Sequence, residues 1–241
     1  MDWTDEGIVL SARPQSEANA VVELLTREHG RHLGLVRGGR SRRQRPVLQP
    51  GNRVKASWRA RLSEHLGTYA IELLDARAAL VLDDRLALAG LSTLCALARL
   101  LPERDPHGPL YDAATLVLSH IGDSDIWPGL LVRWELELLN ELGFGLDLAS
   151  CAATGAEQDL TFVSPKSGRA VSAEAGRPYE DRLLPLPRFL VAVGVEAPTM
   201  GDVRAGFALT GHFLEGHVFG PRGLAMPEAR ERLLAALARK P

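Results

Sequence analysis

The chain has 241 residues, 46% of them hydrophobic, and a formal net charge of −2. This length supports one or two domains with a substantial core, whereas two cysteines are too few for a disulfide framework. No segment reaches the roughly 18 consecutive apolar residues that a membrane helix needs, and the acidic residues 1–6 are unlike a signal peptide. We therefore expect a soluble, cytoplasmic protein with no membrane partner.

The first 80 residues predict five short strands, because alternating or β-branched runs are separated by turn residues. The predicted strands cover residues 7–13, 20–26, 31–37, 52–58 and 67–73. A hairpin turn is expected at residues 28–30, between the second strand and the third. Closing five strands into a barrel removes the exposed edges of a flat sheet, so we predict a small β-barrel of the oligonucleotide-binding (OB) type.

Positive charge is concentrated in one part of this strand-forming region. Residues 27–61 hold eleven of the chain's 28 Lys and Arg residues but one of its 30 Asp and Glu residues. The densest part, Arg37-Gly-Gly-Arg40-Ser-Arg42-Arg43-Gln-Arg45, is rich in glycine and has no hydrophobic period, which is typical of a loop. Such a local excess attracts polyanions, and nucleic acid is the first partner to test.

From residue 83 onward the hydrophobic period becomes helical. Helices are predicted from a cap at Asp83 or Asp84 to Pro102, over residues 109–120, and from a cap at Asp125 with Pro128 in the first turn. Further helices are predicted over residues 185–193, 199–218 and 227–239. The fold class is therefore α+β with two domains, a barrel at residues 1–80 and a helical domain at residues 81–241.

Residues 147–181 interrupt the helical pattern and resemble a degenerate zinc ribbon. Cys151 and Thr154 have the spacing of one metal-binding arm, and Ser172 and Ala175 occupy the place of a second arm, with a hairpin turn at residues 165–168. Three of these four positions lack a thiolate or an imidazole. We expect this insert to fold without a metal.

Motifs for catalysis are missing from the sequence. It contains no phosphate-binding loop ending in Lys-Ser or Lys-Thr, no Gly-x-Ser-x-Gly elbow and no His-Glu-x-x-His helix. We assign no catalytic residue and no cofactor, and we expect a protein that is not an enzyme.

Several segments resemble the RecO family of bacterial recombination mediators. The matching segments are residues 4–10, 17–26, 28–42, 48–52, 134–145, 211–215 and 227–233. The resemblance covers nearly the whole chain. It implies an OB barrel followed by a helical domain with a zinc-ribbon-like insert, although this chain keeps only Cys151 of the four cysteines found in some members.

The resemblance also implies a function and partners. A protein of this family binds single- and double-stranded DNA, anneals complementary strands and helps to load RecA on DNA coated by single-strand-binding protein, together with RecR and RecF. We therefore expect a role in DNA repair and recombination, in the cytoplasm and associated with the nucleoid. A generic OB-fold RNA-binding module and a protein-interaction adaptor remain as alternative functions.

Candidate site residues follow from these expectations. The predicted DNA-binding residues are Arg31, Arg37, Arg40, Arg42, Arg43, Arg45, Arg53, Lys55, Arg59 and Arg61. Trp58 and Tyr69 are candidate platforms for base stacking, with packing inside the barrel as the alternative. Arg99, Arg133 and Arg188, on or beside apolar helices, are candidates for binding the acidic C-terminal tail of single-strand-binding protein, with ordinary helix-surface arginines as the alternative.

Overall fold

A computed structural model describes residues 1–191 and 197–239 of the chain. The described residues divide into two compact units, residues 1–122 and residues 123–241. Each unit is described separately below.

Five strands form the sheet of the first unit. They are β1 (Asp2–Pro14), β2 (Ala20–Thr26), β3 (Gly30–Val36), β4 (Arg53–Arg59) and β5 (Thr68–Asp75). Neighbouring strands follow the order β1-β2-β3-β5-β4, and β1 also pairs with β4, so the sheet closes into a barrel. All pairs are antiparallel except the contact of β3 with β5. The five predicted strand positions are confirmed.

The core of the barrel results from alternation of buried and open side chains along its strands. In β4, every second residue from Val54 to Trp58 is buried while the residues between them face outward. The inward side chains belong to one apolar cluster that includes Val9, Leu24 and Tyr69. Alternation therefore decides which side chains of each strand are available on the outer surface.

Short and long helices complete the first unit. They are α1 (Gln44–Val47), α2 (Arg77–Leu80), α3 (Arg85–Ala98) and α4 (Gly108–Ser119). The predicted cap of α3 is confirmed at Asp84, whose carboxylate accepts hydrogen bonds from the backbone N–H groups of Leu86 and Ala87. Helix α3 packs against β1, and the Cys95 thiol lies 3.6 Å from the carbonyl oxygen of Val9.

The second unit begins with α5 (Trp127–Glu141). Pro128 lies in its first turn as predicted, but the predicted cap at Asp125 is wrong. The N-cap is Ile126, because a turn that begins at Asp123 precedes the helix. The carbonyl oxygen of Asp123 accepts hydrogen bonds from the N–H groups of Ile126 and Trp127. The side chain of Asp123 also accepts from the N–H of Asp125.

A small sheet follows α5. Its strands are β6 (Leu160–Val163), β7 (Ala170–Ser172) and β8 (Leu184–Pro185), in the order β7-β6-β8. The predicted hairpin turn at residues 165–168 is confirmed between β6 and β7. Helix α6 (Ala173–Gly176) and a 3₁₀ segment, Arg177–Arg182, lie between β7 and β8.

The helix predicted over residues 185–193 is wrong in its described part. Pro185 belongs to β8, which pairs with β6, and Arg188–Leu190 is a single 3₁₀ turn. Pro185 and Pro187 each disfavour a helical conformation at the residue before them, which explains why the apolar period does not become a helix here. The end of the prediction, Val193, lies outside the described residues.

Two further helices complete the second unit. They are α7 (Met200–Phe213) and α8 (Glu228–Leu237), and both lie within the predicted helical ranges. Thr199 and Asp202 form a reciprocal capping box at the start of α7. Helix α7 continues into a π-helical turn, Leu214–Phe219. The predicted α+β class, with an N-terminal five-stranded sheet and a C-terminal helical region, is confirmed.

The predicted domain boundary at residue 80 stays a prediction. The first compact unit ends at residue 122, so α3 and α4 belong to the same unit as the barrel. Among the described residues, no helix combines the length and the apolar character needed to cross a membrane.

Candidate nucleic-acid interface

The arginine loop, residues 37–45, connects β3 to α1 and then to β4. It is held by backbone contacts with the segment between β1 and β2: the N–H of Arg40 donates to Ala18, and the N–H of Gly38 donates to the side-chain oxygen of Asn19. Gly38 has a φ of 66°, a left-handed conformation that glycine adopts without strain. These contacts connect the backbone of the loop to the segment between β1 and β2.

The arginines of this loop have no acidic ion-pair partner in the described part of the chain. Four of the five are exposed, namely Arg37, Arg42, Arg43 and Arg45. Arg40 is half-buried and donates to the carbonyl oxygen of Ser16 at 3.0 Å. Within residues 1–191 and 197–239, none of the five forms an ion pair with Asp or Glu. Their positive field therefore reaches the solvent.

A cleft of about 280 Å³ lies beside the arginine loop. Its lining includes the three arginines Arg13, Arg40 and Arg45, together with Gln49 and the apolar Leu48. None of the described residues that line it is acidic. Guanidinium groups bind phosphate oxygens through paired hydrogen bonds, so this cleft has the donors that a phosphate backbone requires.

Sequence analysis missed Arg13, which lies outside the basic run. The pairing of β1 with β2 brings its strand end to the loop, because Arg13 is opposite Val21 and Pro14 is opposite Ala20. Arg13 is 60% exposed and lies 3.8 Å from Glu23. An arginine at the end of a predicted strand was the available signal, but only the sheet topology shows which loop it joins.

The cations of β4 differ from those of the loop, because each has acidic neighbours. Lys55 is opposite Glu6 on β1 and opposite Glu72 on β5. The nitrogen Nε of Arg53 lies 3.3 Å from a carboxylate oxygen of Asp75 and 3.8 Å from one of Glu6. Cross-strand pairs of opposite charge cancel most of their field at a distance.

Arg59 and Arg61 lie near the end of β4. The guanidinium of Arg59 is 80% exposed and lies 3.8 Å from the carboxylate of Asp2. Arg61 is exposed in the segment between β4 and β5. Both side chains face solvent, but neither lines the cleft beside the arginine loop.

Arg31 was predicted to bind DNA, but the structure gives it an internal role. Its guanidinium lies 2.5 Å from the buried carboxylate of Glu23 and donates to the carbonyl oxygen of Leu101 at 2.6 Å, and its side chain is 19% exposed. Its charge is needed to compensate Glu23, since a buried carboxylate without a partner is strongly destabilising. DNA contact by Arg31 stays a prediction, for a guanidinium that already contacts Glu23 and Leu101.

Glu23 gathers three arginines from different elements. Arg31, Arg99 and, at longer range, Arg13 surround its carboxylate, and the hydroxyl of Ser11 donates to it at 3.0 Å. Burial alone raises the pKa of Glu23, but the hydrogen bonds and charges of Arg31 and Arg99 outweigh burial and lower this pKa below its ordinary value. Glu23 is therefore ionised at neutral pH.

The two aromatic residues predicted as stacking platforms lie inside the barrel. Trp58 is 2% exposed and Tyr69 is 5% exposed. The indole N–H of Trp58 donates to the carbonyl oxygen of Leu66 at 3.0 Å, and the hydroxyl of Tyr69 lies 3.0 Å from Nδ1 of His32. Burial also raises the pKa of Tyr69 well above its ordinary value. Neither ring presents a face to a base, so the alternative of barrel packing describes both.

The three arginines predicted to bind a partner occupy different environments. Arg99 donates to Glu23 at 2.8 Å and belongs to the ion cluster of the first unit. Arg133 donates to the carbonyl oxygen of Phe189, and its guanidinium lies 5.9 Å from the centre of that ring. Arg188 is exposed and lines a cavity of about 630 Å³ that also contains Glu157 and Asp159. Of the three, Arg188 lies beside a groove.

Cys151 is buried in the insert. Its sulfur accepts a hydrogen bond from the N–H of Ser172 at 3.2 Å. Burial raises the pKa of this thiol, but hydrogen bonds from Ser172, Thr154 and the backbone of Ala153 outweigh burial and lower the pKa to about 6. One residue at a predicted ligand position, Ser172, thus donates its backbone N–H to the sulfur.

These residues do not fit a structural zinc ion. Such a site uses about four thiolate or imidazole ligands, and Thr154, Ser172 and Ala175 provide none. No group of three or more His, Cys, Asp or Glu residues suited to a metal occurs in the described part of the chain. That the insert folds without a metal stays a prediction, which elemental analysis of protein purified without added zinc would test.

A closed five-stranded barrel that carries an uncompensated arginine loop defines a class of protein equipped to bind polyanions. Comparison with known proteins narrows this class. Residues 1–77 match the model for the recombination protein O N terminal domain, and residues 82–224 match the model for the recombination protein O C terminal domain. The chain therefore belongs to the recombination protein O family, a family of DNA repair and recombination proteins.

Curated relatives agree with this assignment over almost their full length. A protein of Methylobacterium nodulans is 60% identical over 98% of this chain and 97% of its own length. A protein of Methylocella silvestris is 57% identical over 100% of this chain and 97% of its own, and one of Mesorhizobium japonicum is 54% identical over 98% and 94%. Each of these relatives is named DNA repair protein RecO.

Proposed function

We propose that this chain is a recombination mediator that binds single- and double-stranded DNA through the arginine loop and the cleft beside it. The barrel is then an OB fold, which fits the strand order and the parallel contact of β3 with β5. The observation that supports the proposal most directly is that five arginines of one loop form no ion pair among the described residues, whereas Arg53 and Arg59 of β4 pair with acids and Lys55 has glutamates opposite it on both neighbouring strands.

The proposed activity is annealing of complementary strands. Annealing needs a protein that holds strands by their phosphates, reduces their mutual repulsion and leaves the base edges free to pair. Arg42, Arg43 and Arg45 on a fixed backbone, with Arg13 and Arg40 in the cleft, supply phosphate contacts that do not depend on base identity. Family membership supports the DNA partner over other polyanions.

Loading of RecA on coated DNA requires contacts with other proteins as well. We propose that residues 81–241 form the helical domain that binds RecR, RecF and the tail of single-strand-binding protein, while residues 1–80 bind DNA. Arg188 supports a tail site because it is exposed beside a cavity with the apolar side chains of Leu148, Leu160 and Val191. Glu157 and Asp159 in the same cavity weaken the attraction for an acidic tail.

A strand-annealing assay on DNA coated with single-strand-binding protein tests the function. The wild-type protein should accelerate annealing, and the quadruple variant with Arg40, Arg42, Arg43 and Arg45 changed to Ala should lose this activity. A matched control replaces four exposed arginines of the second unit, Arg177, Arg182, Arg222 and Arg239, with Ala and thus changes the net charge equally. Equal loss in both variants would show that net charge, rather than the loop, is responsible.

The same preparation separates the alternative functions. An RNA-binding module would bind RNA strands more tightly than DNA strands of the same sequence, because it would use the 2′-hydroxyl groups. A protein-interaction adaptor would show no binding to either nucleic acid that depends on salt. Either result would remove DNA annealing as the function of the arginine loop.

A further inference from the structure

The first unit has a second cleft, which the arginine loop does not border. This aromatic cleft has a volume of about 490 Å³, within the range of small-molecule sites. Its residues come from the first residues of the chain, the β2–β3 turn, β3, β4 and two later segments. They are Met1, Asp2, Trp3, Glu28, His29, His32, Trp58, Ser63, Arg104 and Pro106.

A row of stacked rings forms one wall of the aromatic cleft. Trp3 on β1 is opposite Trp58 on β4, and their ring centres are 5.7 Å apart with an angle of 19° between the planes. Trp3 also stacks on His29, in the turn between β2 and β3, at 4.1 Å and 11°. His32 meets both indoles edge-on at 5.1 and 5.0 Å. The row therefore runs from the barrel core at Trp58 to the surface at His29.

The outer end of this row is open to solvent and fixed in orientation. The His29 side chain is 34% exposed, and its Nδ1 lies 3.1 Å from the carboxylate of Asp5. Trp3 is half-buried and packs against the barrel core, while the other three tryptophans of the chain, Trp58, Trp127 and Trp134, are buried. An exposed ring held by packing and by a hydrogen bond is ready for stacking without further ordering.

The rim of the aromatic cleft combines hydrogen-bond donors with acceptors. Asp2 and Glu28 bring carboxylates, whereas Arg104 and Ser63 bring donors. Arg104 is held by its backbone N–H, which donates to Arg31, and by its guanidinium, which donates to the carbonyl oxygens of Glu64 and His65. Carboxylates at the rim disfavour a phosphate, but they suit a base edge, which presents both donors and acceptors.

We propose that the aromatic cleft binds an unpaired nucleobase, stacked on the outer end of the Trp3–His29 pair with its edge toward the rim. This inference rests on the proposed DNA-binding function and adds a second contact to it. Trp3 lies near the start of β1, and Arg13, which lines the cleft beside the arginine loop, lies near its end. The aromatic cleft and the arginine loop would therefore hold different parts of one DNA strand. A duplex has no free base for this site, so the cleft favours single strands.

Intrinsic fluorescence tests the inference in the unmodified protein. Trp3 is the half-buried tryptophan and stacks on His29, so a short oligodeoxythymidine whose base stacks on this pair should quench the fluorescence of Trp3. An abasic oligonucleotide of equal length and charge should bind through the arginine loop without this quenching. Equal quenching by both probes, or none by either while both bind, would overturn the inference.

Variants of the stack give a second readout. Changing His29 to Ala should weaken binding of the oligodeoxythymidine roughly 5- to 100-fold, because base stacking on an aromatic side chain contributes this much, and should leave binding of a duplex unchanged. Changing Trp3 to Ala removes the ring on which His29 stacks and should weaken oligodeoxythymidine binding as well. Trp3→Phe keeps a ring and should retain most of the affinity. Tyr179→Ala removes a ring that is 59% exposed elsewhere in the chain and serves as the control without effect.

The outcomes separate this inference from the proposed function. Binding that remains salt-dependent but is unaffected by Trp3→Ala, His29→Ala or loss of the bases would remove the nucleobase site and keep the arginine loop. If the wild-type protein bound no nucleic acid at all, both the nucleobase site and the proposed DNA-binding function would be excluded. Quenching by a peptide but by no oligonucleotide would assign the aromatic cleft to a protein partner and also overturn the inference.

Discussion

Two sets of cations in the first unit come from the same basic run of the sequence, but one set has acidic neighbours in the structure and the other does not. Those of the arginine loop extend from turns and a short helix into solvent, and no described acid pairs with them. Those of β3 and β4 have acids close by: Arg31 forms an ion pair with Glu23, Arg53 forms one with Asp75, and Lys55 has a glutamate opposite it on each neighbouring strand. A count of charges along the sequence therefore overestimates the cationic surface.

The second unit holds the extreme case of a compensated arginine. Arg230 on α8 is 3% exposed and forms two hydrogen bonds, of 2.9 and 2.8 Å, with the fully buried carboxylate of Glu135 on α5. It also donates to the carbonyl oxygen of Phe207, and the hydroxyl of Thr210 donates to Glu135. Arginines with acidic neighbours thus contribute to stability, and the proposed binding residues are those without such neighbours among the described residues.

The largest expected effect is the loss of this buried pair. Arg230→Met should lower the free energy of unfolding by about 3–5 kcal/mol, because Glu135 is left buried without a counter-charge. The double variant with Glu135→Met and Arg230→Met should recover at least half of this loss, since no charge remains buried. Urea denaturation of the three proteins measures both values, and a double variant as unstable as the single one would contradict the explanation.

The arginine loop should show the opposite behaviour, with a large effect on binding and little on stability. If about five phosphates are contacted, log K should fall with log salt at a slope of roughly −3.5 for single strands and −4.5 for duplex. Changing Arg40, Arg42, Arg43 and Arg45 to Ala should reduce these slopes in magnitude by about 3, and affinity near 0.1 M salt by up to about 10³-fold. Unchanged slopes would exclude the loop from the interface.

Glu23 should contribute an intermediate amount to stability. Glu23→Gln removes the charge that orders Arg31 and Arg99 and should lower the free energy of unfolding by about 1.5–3 kcal/mol at pH 7. Because folding lowers the pKa of Glu23, its contribution is complete above the unfolded pKa of about 4.3 and is lost as pH falls through the folded pKa. Denaturation at pH 7 and near pH 3 should show the gap between wild type and variant narrowing in acid.

The smallest effect is expected for Lys55. Its charge lies between Glu6 and Glu72, so Lys55→Ala should change DNA affinity less than about twofold and leave the salt slope intact. The double variant with Glu6→Gln and Glu72→Gln should instead expose the charge and increase affinity. A large loss on Lys55→Ala alone would place β4 in the interface and break the distinction between the two sets.

The sequence predicted the positions of the strands well because alternation of apolar residues is a local signal. It failed at residues 185–193, where an apolar period lies within a segment broken by Pro185 and Pro187. The change of period near residue 80 marks where strands give way to helices, but it carries no information on which helices pack together. Contacts group α3 and α4 with the barrel.

The sequence by itself determined the family, the five strands and the location of the basic run, since all three depend on residue order. Tertiary structure alone decided that Arg31 neutralises Glu23, that Lys55 lies between two acids, and that Arg13 joins the arginine loop. Tertiary structure also decided that the side chains of Trp58 and Tyr69 point into the core and that Trp3 is half-buried beside His29. The physical reason is that ion pairing and burial depend on strand register and on neighbours distant in sequence, whereas propensity and periodicity act over a few residues.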